Sequence, residues 1–164
     1  MRVVEGLLNT GFAIVMIAAC AQAAPSGGKK LELAFLHAFA MRGCTQEDAP
    51  ALEIYLTQTP FTGVGDPAPP YIRFEISSSP SEAVAPVSLK LVPMRRDPTR
   101  PGRIVRAELV ESGHDPIWLS GTITLSEAAP GRRVSGHYDI TTPAGRRLHS
   151  SFIAEYSKRT TVCG

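Results

Sequence analysis
The sequence predicts an all-β fold, an antiparallel β-sandwich or partly closed β-barrel of about seven or eight strands, closed by one disulfide. Three observations carry that expectation. Short runs alternate apolar and polar residues; proline and glycine, 14 of each in 164 residues, punctuate the joints between runs; and no long stretch has helical periodicity. With 43% hydrophobic residues, the chain supports one domain with its own core.

The chain opens with a leader. Arg2, an apolar run from Gly11 to Ala19 and the small residues Ala21-Gln22-Ala23 have the layout of a secretory signal peptide spanning residues 1–23, with cleavage after Ala23. Its apolar part is shorter than the roughly 20 residues of a membrane span. Ile17-Ala18-Ala19-Cys20 offers the alternative of a bacterial lipoprotein signal that ends before Cys20 and leaves that cysteine lipidated. Residues 24–30, APSGGKK, have linker composition, and residues 31–164 form a single β domain.

The strands follow in order. LELAFLHAFAM (31–41) is mostly apolar and leads into Gly43-Cys44, as a strand buried on both faces would. ALEIYLT sets Leu52, Ile54 and Leu56 against Glu53, Tyr55 and Thr57, and YIRFEIS sets Ile72, Phe74 and Ile76 against Tyr71, Arg73 and Glu75, so both read as half-buried strands. Between them TPFTGVGDPAPP reads as a loop. VSLKLV, RIVRAELV and WLSGTITLS add three more strands. In the last third, LSGTITL, VSGHYDI and RLHSSFIAEYS form an antiparallel meander, with a type II turn at Pro130-Gly131 between the first two. Gly121 and Gly136, inside strands, signal bulges or close backbone approach. If Pro143, Ala144 and Gly145 make a three-residue loop, Thr142 faces Arg146. Val134, Gly136, Tyr138 and Ile140 then share a core face with Leu148, Ser150, Phe152 and Ala154.

Either processing of the leader removes Cys20 from the free thiols, leaving Cys44 and Cys163 to pair in an oxidising compartment. That bridge ties the penultimate residue to the end of the first strand. In the chain-entropy picture a loop of nearly the whole mature chain is worth about 4–5 kcal/mol before strain.

Four features bear on function. The meander register puts His137 opposite Ser151 and Asp139 opposite His149 on the outward face, where His137, Asp139 and His149 are candidate metal ligands and Ser151 beside His137 a candidate hydrolytic pair. A flat exposed hairpin, however, excludes no water and offers no oxyanion donors, so a solvated polar face explains the same alternation. Arg95, Arg96, Arg100 and Arg103 form an arginine-rich loop suited to an anion or an acidic partner, and Glu47, Asp48 and Glu53 form an acidic turn suited to partner contact. No G-x-S-x-G elbow, Walker loop, dinucleotide fingerprint or H-E-x-x-H occurs.

A net charge of +2, with no aromatic residues among the loop arginines, argues against nucleic acid. The sequence therefore points to an exported, periplasmic or extracellular, non-catalytic binding or interaction module of the bacterial cell envelope, with no cofactor. Its partner is expected to be an envelope protein, a polysaccharide or a small ligand, and it meets a membrane only through a lipid on Cys20. The alternatives are a lipocalin-like carrier of a small apolar ligand and a small hydrolase or metal-binding protein using the outward His/Asp face.

Overall fold
The computed structural model describes residues 34–45, 49–77, 86–91, 105–129, 132–157 and 163. The expected leader with Cys20, the acids Glu47 and Asp48, the arginines Arg95, Arg96, Arg100 and Arg103, and the expected turn at Pro130-Gly131 lie outside the described residues. Nine strands are described: β1 (His37–Cys44), β2 (Pro50–Thr57), β3 (Tyr71–Ser77), β4 (Val87–Leu91), β5 (Val105–Val110), β6 (Ile117–Trp118), β7 (Ser120–Ala129), β8 (Arg133–Thr141) and β9 (Arg147–Tyr156). No described residue is helical.

The strands make one sheet in the order β4-β7-β8-β9-β1-β2-β3-β5-β6. The sheet curls into a half-barrel, with β4 brought near β5 and with Phe74 of β3 meeting Tyr138 of β8 across the core at 5.9 Å between ring centroids. Every neighbouring pair is antiparallel except β1 and β9, which run parallel. The partly closed barrel is thus the better of the two expected architectures, and the continuous sheet replaces the two packed sheets of a sandwich. The ninth strand arises because WLSGTITLS is cut at Leu119: Trp118 pairs with Glu108 of β5, whereas Ser120 pairs with Thr141 of β8. The first strand also starts later than its apolar run, at His37.

Alternation places the core. Leu52, Ile54, Leu56, Ile72, Phe74, Ile76, Val105, Ala107 and Leu109 are buried on the inner face of β2, β3 and β5. Leu89, Leu91, Ile123, Leu125, Val134, Ile140, Phe152 and Ala154 continue it through the other half of the sheet. The β8–β9 register is the one the turn implies: Thr142 N donates to Arg146 O, Gly145 has a φ of 80°, and Tyr138 faces Ser150.

β2 and β3 differ from the half-buried strands their alternation suggests, because their outer faces are covered as well. Glu53, Tyr55, Tyr71 and Glu75 are all buried. The loop after β2 folds back over this face, setting Phe61 against Phe39 at 5.2 Å and against Tyr55 at 5.3 Å between centroids. Gly63 lies so close to the Phe39 ring that a Cβ there would come within 2.5 Å of it. Glu75 tolerates burial by pairing with Arg106 across the strands, and Glu53 by accepting a hydrogen bond from Tyr55 along its own strand.

Candidate functional site
Two places concentrate chemistry among the described residues: the covered outer face of β2, β3 and β5, and a cleft where β9 parts from β1.

On the outer face the register aligns Glu53 with Glu75 and Arg106, and Tyr55 with Arg73 and Glu108. Arg106 Nε donates to Glu75 Oε1 at 3.1 Å, and its Nη2 donates to the same oxygen. Arg73 Nε forms an ion pair with Glu108 Oε1 at 2.8 Å. The Tyr55 hydroxyl donates to Glu53 Oε2 at 2.8 Å. Burial raises the carboxyl pKa of Glu53, outweighing the Tyr55 hydrogen bond and the Arg73 charge that lower it. Burial likewise raises Glu108 despite Arg73 beside it. The Glu53 carboxyl rests where Gly43 has no side chain; a Cβ there would lie 2.3 Å from its Cδ. Three carboxyls and two guanidiniums are thus engaged with one another or with a tyrosine beneath a covering loop. This is a cross-strand clamp, with its charges spent on structure. Glu53, which the sequence grouped with Glu47 and Asp48 as an acidic turn suited to partner contact, is buried in this clamp.

The cleft has a different origin. β1 and β9 pair only at Phe39 with Glu155 and Ala40 with Tyr156, extended by Ser157 N donating to Ala40 O at 2.7 Å. Toward the start of β1 and the middle of β9 the strands part, and the gap is a cavity of about 360 Å³. Its inner wall is Ala38, Leu56, Tyr138 and Phe152, from the core side of the sheet. Its mouth carries Phe35, Leu36 and Ile153 together with the polar side chains of His37 and Ser151. Leu36 is 77% exposed and Ile153 68% exposed, so two large apolar side chains face water at its lips. Burial raises the Tyr138 hydroxyl pKa, partly offset by Ser150.

The disulfide between Cys44 and Cys163 is formed, with 5.7 Å between the Cα atoms. It sits at the end of β1, beyond the paired residues of β1 and β9. The bridge therefore locks one end of the β1–β9 seam while the cleft opens at the other.

The outward hairpin face is arranged as its register predicts, with His137 opposite Ser151 and Asp139 opposite His149. Its groups do not converge on an ion. Asp139 is held by Arg147, whose Nε and Nη2 donate to its two carboxylate oxygens at 2.8 and 2.5 Å. That hydrogen bond lowers the Asp139 pKa. Among the described residues, no three His, Cys, Asp or Glu side chains are placed to hold a metal. Ser151 lines the cleft instead.

Sequence reasoning missed Phe35, Leu36, His37 and Ile153. A signal for Ile153 was present: it interrupts the polar outward series of β9, making Phe152-Ile153-Ala154 apolar on both faces. No protein-family model, curated protein or solved structure matches this chain.

Proposed function
We propose that the protein is an exported, non-catalytic binding module of the cell envelope or periplasm, and that its ligand is a small apolar molecule received in the cleft between β1 and β9. The observation that carries this reading is the parting of the two strands over a mostly apolar cavity with exposed Leu36 and Ile153 at its entrance. Isolated exposed apolar residues are ordinary, but two flanking a cavity form an entry surface for an apolar guest. A volume of about 360 Å³ lies at the small end of ligand pockets, which run from roughly 300 to 1,000 Å³. Export is supported by the leader pattern in residues 1–23 and by the disulfide, a bond that persists in oxidising compartments.

The test is titration with the neutral fluorophore N-phenyl-1-naphthylamine. Saturable fluorescence enhancement is expected, weakened about tenfold or more by Ile153→Asp, which puts a charge on the lip, and by Ala38→Phe, which fills the cavity. Absence of saturable binding by the folded, disulfide-closed protein would remove this reading.

A further inference from the structure
The cleft is chemically graded from its inside to its mouth. Leu56, Tyr138 and Phe152, at 2%, 5% and 7% exposed, offer an apolar interior. At the mouth, His37 and Ser151 are exposed and each carries a hydrogen-bond donor. Among the described residues, none that lines the cavity bears a carboxylate. Of the neighbouring acids on β8 and β9, Asp139 is held by two guanidinium nitrogens of Arg147, and Glu155 lies outside the lining. His137 stands opposite Ser151, adding a further imidazole beside the mouth.

Resting on the proposed ligand cleft, we infer that its ligand is a single-chain amphiphile with a carboxylate head, its chain against Leu56 and Phe152 and its head at His37 and Ser151. Among the described lining residues an acceptor head group finds two donors and no competing carboxylate, and a cationic head finds no acid. Leaving the head at the mouth keeps its charge hydrated, and only the chain is taken from water, which is the division that favours an amphiphile over a wholly polar guest. The small volume suits one chain.

The test displaces bound N-phenyl-1-naphthylamine with dodecanoate, dodecanol or dodecyltrimethylammonium, each kept monomeric. Dodecanoate is expected to compete at about tenfold lower concentration than the other two, as a charge-assisted hydrogen bond allows. His37→Leu should erase that preference, read as the ratio of the dodecanoate to the dodecanol competition constant within the same variant, and His37→Lys should retain it. Equal competition by all three, preference for the cation, or a carboxylate preference that survives His37→Leu combined with Ser151→Ala would overturn the assignment while leaving the cleft intact. Failure of the fluorophore itself to bind would strike the cleft reading instead. Sedimentation with phosphatidylglycerol vesicles, without displacement by monomeric dodecanoate, would assign the head-group contact to a membrane lipid and overturn the single-chain ligand.

Discussion

Glu53 shows how one residue can be polar in sequence and internal in structure. It is 7% exposed, faces Glu75 across the strands and accepts a hydrogen bond from Tyr55. Its pKa is raised, chiefly by burial. A carboxyl whose folded pKa exceeds its unfolded value binds more protons in the folded state, so its contribution to stability is present at low pH and is lost as pH climbs from the ordinary carboxyl value of 4.5 through the folded value. Glu108 shifts in the same direction and adds to the slope. Glu53→Gln keeps an acceptor for Tyr55 and removes one titrating group. The melting temperature of the variant relative to the wild type is therefore expected to rise between pH 4 and pH 7, measured by circular dichroism at matched ionic strength. A difference that stays constant across that range would show that Glu53 carries no buried charge penalty.

At the scale of the element, β7 and β8 approach so closely that two glycines become structural requirements. A Cβ on Gly136 would lie 2.0 Å from Thr124 O, and one on Gly121, where φ is 128°, would lie 2.2 Å from Asp139 O. Both obstacles are backbone, which cannot swing aside as a side chain would. The register shifts between Leu125 and Glu127, beside the Leu125–Gly136 pair, so the close approach coincides with a bulge. Gly136→Ala is expected to cost about 3 kcal/mol, at the upper end for overpacking. Urea denaturation measures it, and a loss below about 1 kcal/mol would mean that the strands can separate to admit a methyl group. The sequence signalled both positions because glycine weakens a strand and persists there for a spatial reason. The β8–β9 register was equally legible, since a three-residue turn ending in Gly145 leaves one pairing for Thr142 and Arg146.

For the whole molecule, the decisive contact is the parallel seam of β1 and β9, which joins the halves of the sheet at its centre. The bridge expected between the ends of the first and last strands is the one found, beside the seam where β1 and β9 pair. Cys44 and Cys163 are 119 residues apart, so their bond restricts nearly all of the domain in the unfolded state. Removing it, by Cys44→Ser with Cys163→Ser or by reduction, is expected to lose about 2–5 kcal/mol by urea unfolding, the usual range for loss of a native disulfide. An unchanged midpoint would show that the β1–β9 pairing holds the seam without help.

Alternation and turn chemistry are local quantities, and through them the chain alone set the all-β class, eight of the nine strands, the hairpin register and the faces of the core strands. The cysteine pairing also followed, by elimination, from reading Cys20 as part of a leader. Other features depend on which distant segments meet. Phe61 covers the outer face of β2, Glu53 is buried against Gly43, Arg147 takes Asp139, and β9 separates from β1 to open the cleft. Residue periodicity records how often a side chain turns inward. It carries no record of what covers the opposite face, or of where two strands more than a hundred residues apart stop pairing; those follow from the curvature of the assembled sheet.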